Sequence, residues 1–194
     1  MLYRHMDVPE SDPDADDRRL MLLVAAGDGD ALRMIVERHH GRLVGFLTSQ
    51  LGAQAVAEEL ALEVFVRLHR AAPRWRPEAK LSTFLFHIAH NLMLNEHRRR
   101  ARKPTSPMES APEPGDDTHA SNRAVADIQE AFLKAVEALP EEQRAAILLL
   151  VQQDLSYEEI GKVMKVSVPS VKTWVHRARL QLRKTMGDEF RILS

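Results

Sequence analysis

Residues 104–123, PTSPMESAPEPGDDTHASNR, contain four prolines, one glycine and many small polar side chains. Such a stretch cannot bury enough apolar surface to offset the entropy lost on ordering it, so it predicts a flexible linker. It divides the 194-residue chain into an amino-terminal unit over about 17–103 and a carboxy-terminal unit over about 124–190. Residues 1–16, acidic and Pro-containing, predict a disordered tail without the apolar core of a signal peptide.

Both units show helical periodicity and no convincing alternation at period two. In the first unit, Leu20, Leu23 and Val24 face inward from a helix ending at Gly27. Residues 30–51 carry Leu32, Ile35, Val36, Leu43, Phe46, Leu47 and Leu51 on one side and end at Gly52. Residues 54–72 align Val56, Leu60, Val64 and Leu68 and stop at Pro73. Ser82 is expected to cap a fourth helix bearing Phe84, Leu85, Ile88, Leu92 and Leu94, which runs out into HRRRARK. In the second unit, residues 124–138 predict one helix and Pro140 opens the next, EEQRAAILLLVQ. The fold class is therefore all-α: two small helical domains joined by a flexible linker.

The segment DLSYEEIGKVMKVSVPSVKTWVHRARLQLR, 154–183, has the pattern of a helix-turn-helix. Ser156 and Glu159 stand at capping-box spacing, and Ile160 and Val163 give a short helix its inner face. Met164-Lys165-Val166 spans a tight turn, Ser167 caps the next helix, and Pro169 falls where a missing N–H costs little. Val171, Val175, Ala178 and Leu182 are the buried stripe of that second helix. Its other faces carry Ser170, Lys172, Thr173, Trp174, His176, Arg177 and Arg179, donors suited to phosphates and base edges. A basic helix pair that forms only a solvated surface has the same local pattern.

Charge is segregated. The net charge is −1, yet residues 1–17 hold six acids against Arg4, and residues 104–130 hold six against Arg123. Residues 98–103 hold five cations and no acid, and six Lys or Arg stand between Lys165 and Gly187 with no acid among them. Two basic blocks on two helical units suggest two separate polyanion contacts. The chain has no cysteine, which excludes disulfides and thiolate ligands. The longest purely apolar runs, such as Ala145–Val151, are far shorter than the ~20 residues of a membrane span. A cytoplasmic location fits these features.

Three sets of residues in the first unit invite a chemical reading. Glu58, Glu59 and Glu63 form an acidic helix face, suited to docking on a basic protein surface and, less readily, to acid–base or metal chemistry. His87 and His90 share a helix face, with His97, His39 and His40 elsewhere, but no carboxylate completes a recognisable metal pattern. They are read as surface or half-buried histidines, and no metal or cofactor is expected. Arg74, Trp75, Arg76, Lys80, Phe84, Phe86, Asn91 and the arginine block interleave aromatics with bases, as single-stranded nucleic acid requires. The aromatics also suit a helical core.

Taken together, the two units resemble the extracytoplasmic-function sigma factors of bacterial RNA polymerase. Glu58-Glu59-Leu60-Ala61-Leu62-Glu63-Val64-Phe65-Val66-Arg67-Leu68 is similar to the region 2.2 helix that docks on the β′ clamp helices. Leu81-Ser82-Thr83-Phe84-Leu85-Phe86-His87-Ile88-Ala89-His90-Asn91, continuing to Arg98-Arg99-Arg100, is similar to regions 2.3–2.4, which melt and read the minus-10 element. Leu139-Pro140 with Gln143-Arg144, Leu155 to Gly161, and Val171-Lys172 through His176-Arg177-Ala178-Arg179 are similar to region 4, which reads the minus-35 element. The resemblance implies a non-enzymatic initiation factor. Its polymerase contacts would include Glu58, Glu59, Leu62, Glu63 and Phe65, with the β flap as a further surface. Its minus-10 contacts would be Arg74, Trp75, Arg76, Lys80, Ser82, Asn91, Arg98 and Arg99, with Asn91 helping to hold a flipped base. Its minus-35 contacts would be Ser170, Lys172, Thr173, Trp174, Arg177 and Arg179. Core RNA polymerase, promoter DNA and a cognate anti-sigma factor are the implied partners, with no membrane insertion. Three positions depart from the family: Leu62 where Gln is usual, His69 where Trp is common, and Trp174 where Arg is frequent. Two other readings stay open on the residues alone. One is a dimeric helix-turn-helix regulator, for which no heptad run supplies a dimer face; the other is a helical metal-dependent enzyme using His87, His90 and the glutamates.

Overall fold

The computed structural model describes residues 13–102 and 131–187, which contain helices and no strands. The expected linker, and the expected start of the helix at 124, lie outside the described residues. α1 spans Pro13–Ala25, α2 Gly29–Leu51, α3 Gln54–Ala71 and α4 Leu81–Arg102. A 3-10 turn over Ala72–Arg74 follows α3, with Pro73 in its first turn. From residue 131 onward come α5 over 131–137, α6 over Glu141–Val151, α7 over Tyr157–Met164 and α8 over Val168–Met186.

Local chemistry explains most boundaries. Asp28 caps α2 by accepting from the Asp30 and Ala31 backbone amides. Gly52, at φ 64°, closes α2 in the left-handed region and returns its N–H to the Thr48 carbonyl. Two expectations are corrected here. α1 begins at Pro13, inside the segment read as tail, because Asp17 turns inward: its Oδ2 lies 2.9 Å from His39 Nε2 and its Oδ1 accepts from Arg38 Nη1 at 2.6 Å. Ser82 is the second residue of α4 and not its cap, since the helix starts at Leu81.

The amino-terminal unit packs α2 against α1, α3 and α4, with Phe46 and Phe86 edge-to-face at 5.5 Å in its centre. Ile35, Leu43, Leu47, Val64, Leu68, Leu85 and Met93 are fully enclosed around them. The carboxy-terminal unit packs α6 against α8 and α7 through Ile147, Leu148, Ile160, Val163, Val171, Val175 and Leu182. None of the described helices is long and apolar enough to cross a membrane.

The two units also touch each other. α4 meets α7 over a contact as broad as any it makes within its own unit, and α2 meets α6. Arg42 of α2 donates through Nε to the Gln153 side chain and through Nη2 to its carbonyl, each at 2.9 Å. Arg144 of α6 reaches the Ser49 and Gln50 carbonyls at the end of α2, each at 3.4 Å, and the carbonyls of Glu137, the last residue of α5, and of Leu139 just beyond it, at 2.7 and 3.0 Å. One guanidinium thus satisfies the carbonyl ends of helices from both units, where partial negative charge accumulates.

Candidate nucleic-acid interface

The helix-turn-helix is built as its sequence predicts. Ser156 accepts from the Glu159 amide at 3.2 Å, and Glu159 Oε2 accepts from the Ser156 amide at 2.8 Å, completing a capping box at the start of α7. α7 ends at Lys165, a non-glycine residue at φ 57°, which turns the chain sharply into α8. Ser167 caps α8 through the Ser170 amide, and Pro169 sits in the first turn. Val171, Val175, Ala178 and Leu182 are buried, as the periodicity requires.

That burial leaves Lys172, Thr173, His176 and Arg177 exposed on one face of α8. Arg177 makes no ion pair among the described residues. Thr173 donates its hydroxyl to the Pro169 carbonyl at 2.9 Å, leaving the oxygen's lone pairs outward. Lys172 Nζ stands 6.0 Å from the centre of the Tyr157 ring. Ser170 and Arg179 are half-buried, and the Ser170 hydroxyl shares a 2.9 Å hydrogen bond with Ser167. Trp174 is half-buried and packs against the hydrophobic core.

On α3, Glu58, Glu59, Leu62, Val66 and His69 are exposed, and Leu62 keeps 57% of its surface in solvent. Glu63 is held by Arg67 at 2.8 Å. Phe65 departs from its expected role: it is a core residue, 5% exposed and stacked on His40, so in this structure its ring is not offered to a partner.

The proposed single-strand surface is more constrained. Arg74 and Arg76 are exposed, while Trp75 is half-buried against the core. Arg98 donates to Asn95 at 3.1 Å. Arg99 is bidentate on Glu96, at 2.6 and 2.8 Å, and Arg100 shares that carboxylate at 2.8 Å while donating to the Leu51 carbonyl. Hydrogen bonds from Arg99 outweigh the cost of burial, and with Arg100 they hold the Glu96 carboxyl down at about 2.

Asn91 is half-buried and donates to the His87 carbonyl at 2.6 Å. His90 is buried, and His87 is half-buried. Desolvation, then the neighbouring His87 and Lys165 charges, lowers His90 to about 4, and the same burial with Lys165 lowers His87. Lys165 belongs to the helix-turn-helix, so this face of α4 looks onto the second unit. Thr83, His87 and His90 form that face at helical spacing, and Glu159 accepts from Thr83 Oγ1 at 3.4 Å. The sequence reading left these three out of the site and saw Glu159 only as a cap. A row of polar residues down an otherwise apolar helix was the available signal. Among the described residues no three His, Asp or Glu side chains converge as a metal site.

Comparison with known proteins agrees with this layout. Residues 35–103 match the family described as Sigma-70 region 2, and residues 129–182 match Sigma-70, region 4. The chain is similar to the ECF RNA polymerase sigma factor SigM of Mycobacterium tuberculosis, at 31% identity over 173 residues, covering 88% of this chain and 85% of the relative. It is 30% identical to SigW of Bacillus subtilis, covering 85% of this chain and 94% of the relative. SigE of Mycolicibacterium smegmatis is 34% identical over 82% of this chain, which spans 64% of that longer protein. In fold the chain is similar to CnrH, solved in complex with the cytosolic domain of CnrY, with a TM-score of 0.65 at 22% identity and 88% and 97% of the two chains covered.

Proposed function

The chain belongs to the extracytoplasmic-function family of RNA polymerase sigma factors, and from that membership we propose how its surfaces divide the work of initiation. A member of this family binds core RNA polymerase and directs promoter-dependent transcription initiation. In our reading the exposed α8 face, with Lys172, Thr173 and Arg177 foremost, enters the minus-35 major groove, and Ser170 and Arg179 fix the helix on the phosphates. Trp174 supports α8 from its own unit and contributes little to base readout. The loop from Arg74 to Lys80, with Ser82, Asn91, Arg98 and Arg99, takes the melted minus-10 strand. Glu58, Glu59, Leu62 and Glu63 on α3 dock on the polymerase β′ clamp helices, with Phe65 supporting them from beneath; the β flap receives the carboxy-terminal unit.

The observation that carries this reading is the clean division of α8: a fully apolar buried stripe on one side, and Lys172, Thr173, His176 and Arg177 exposed on the other. The role requires no catalytic group or cofactor and is exercised in the cytoplasm. An anti-sigma partner is part of the proposal; its support is that the sigma factor RpoE of Bartonella quintana, similar in fold with a TM-score of 0.67 at 21% identity, was solved in complex with the anti-sigma factor NepR.

The test is in vitro transcription with purified bacterial core polymerase on a genomic fragment library, with and without the protein. Discrete new start sites preceded by a shared pair of spaced elements are expected. Arg177→Ala should weaken promoter use by ~1–3 kcal/mol while leaving core binding intact. Equal loss of both, or no stable complex with core, would overturn the assignment.

A further inference from the structure

The side-chain amide of Asn91 is held by a single residue of its own helix. Its Nδ2 donates to the His87 carbonyl at 2.6 Å and lies 3.2 Å from His87 Nε2, one turn earlier on α4. A primary amide has two N–H donors and one carbonyl oxygen, so His87 can engage both donors at once. Asn91 Oδ1, by contrast, accepts from no group among the described residues and is not enclosed. His87 Nε2 accepts only while the ring is neutral and carries its proton on Nδ1. Burial first, and then the Lys165 charge from the turn before α8, lower the His87 pKa, which favours the neutral ring. His90, on the same helix, is lowered to about 4 and adds no positive charge beside it at neutral pH.

We propose that His87 is a positioning residue that makes Asn91 an acceptor-only group, so that α4 selects a flipped base offering an amino donor, cytosine or adenine, over one offering a keto oxygen at the contacted edge. The inference rests on the assignment of Asn91 to the minus-10 strand. With both N–H groups bound to His87, the amide meets a base only through Oδ1. An exocyclic amino group satisfies that oxygen. A keto oxygen instead leaves two acceptors facing each other, desolvated and unpaired. The bond to the His87 carbonyl alone would not achieve this, because it occupies one N–H and leaves the second free to meet a keto group. The imidazole supplies the second anchor. Spacing of four residues puts both side chains on one helix face, so the pair is formed before any strand arrives.

The test uses holoenzyme made with the full-length protein, on a promoter found by the transcription experiment, with single deaminated bases placed in turn along the minus-10 strand. Deoxyuridine for cytosine, or deoxyinosine for adenine, exchanges the amino donor for a keto oxygen on the same ring. One position should be sensitive, losing roughly ten-fold in affinity, and Asn91→Ala should abolish that sensitivity. His87→Leu should nearly erase the discrimination while affinity for the unmodified strand changes little, because the freed N–H now meets the keto oxygen. His87→Gln, whose side-chain carbonyl can replace Nε2 at the same spacing, should restore it. A merely structural role would instead lower affinity for both strands alike. No sensitive position in the wild type, full discrimination in His87→Leu, or equal losses on both strands without rescue by His87→Gln would each overturn the proposal. In the full chain, long-range proton–nitrogen correlation spectra should show His87 neutral and protonated at Nδ1; a ring protonated at Nε2 at neutral pH would overturn it too. If Asn91→Ala leaves use of the minus-10 strand unchanged, the assignment of Asn91 to that strand fails instead, and the tautomer still decides whether His87 accepts from Asn91.

Discussion

A Cβ placed on Gly161 would stand 3.0 Å from the carbonyl oxygen of Val166, the residue whose N–H returns to the Gly161 carbonyl at 3.0 Å. The glycine is thus in the middle of α7 because the turn into α8 folds back over it. Two effects oppose each other in Gly161→Ala. Helix propensity favours alanine by ~1 kcal/mol, while overpacking against backbone costs ~1–3 kcal/mol. The clash should win, because the obstructing atom is main chain, in a residue whose N–H is hydrogen-bonded back to Gly161. Thermal unfolding should show a lower Tm for Gly161→Ala; a higher Tm would mean the turn relaxes freely.

Asp17 ties α1 to α2 through His39 and Arg38. Burial opposes its charge, but hydrogen bonds and charge from His39 and Arg38 outweigh this and hold its pKa below the ordinary value. A depressed carboxylate contributes stability above its unfolded pKa and loses it as pH falls through the folded one. Asp17→Ala leaves the buried His39 ring, whose Nδ1 already lacks a partner, with neither nitrogen bonded. It should cost ~1–3 kcal/mol in denaturant unfolding. Asp17→Asn should cost less and flatten the acid limb of the stability profile; an acid limb identical to wild type would refute the assignment to Asp17.

Glu96 neutralises Arg99 and Arg100 within α4. Its stabilising pairing is complete above pH 4.5 and fades only as pH falls toward about 2, so it persists throughout the neutral range. Glu96→Gln should free cationic charge for DNA phosphate. In titrations of holoenzyme on promoter DNA across salt concentrations, the slope of log K against log salt should steepen by up to ~1 per released phosphate contact. An unchanged slope would show that Arg99 and Arg100 stay outside the DNA contact even when unpaired.

His90 is buried beneath the helix-turn-helix, with His87 beside it and Lys165 facing both. A histidine depressed from 6.5 to about 4 leaves the stability of the folded protein intact above pH 6.5 and lowers it as pH falls toward 4. Within that window each pH unit should cost up to ~1.4 kcal/mol. His90→Gln should remove that part of the pH dependence in chemical unfolding of the full chain. An equally steep profile in the variant would place the titrating group elsewhere.

The helices were legible because each depends on neighbours within a few residues. Ser156 and Glu159 stand three apart, Ser167 and Pro169 mark the α8 start, and Val171, Val175, Ala178 and Leu182 follow the helical period. The exposed α8 cations followed by subtraction. What failed was long-range: Phe65 sits in an acidic, docking-like helix yet completes a core, and Asp17 lies in an acidic stretch yet is buried by His39, 22 residues away. Sequence by itself determined the all-α class, the helix-turn-helix and its basic face, since caps, turns and amphipathic stripes are local. Only tertiary structure decided that α7 lies on α4, that Glu159 meets Lys80 and Thr83, and that Arg144 closes the end of α2. Those contacts join residues 76 to 95 positions apart, and no local periodicity or cap encodes which distant carbonyl or ammonium a polar side chain will meet.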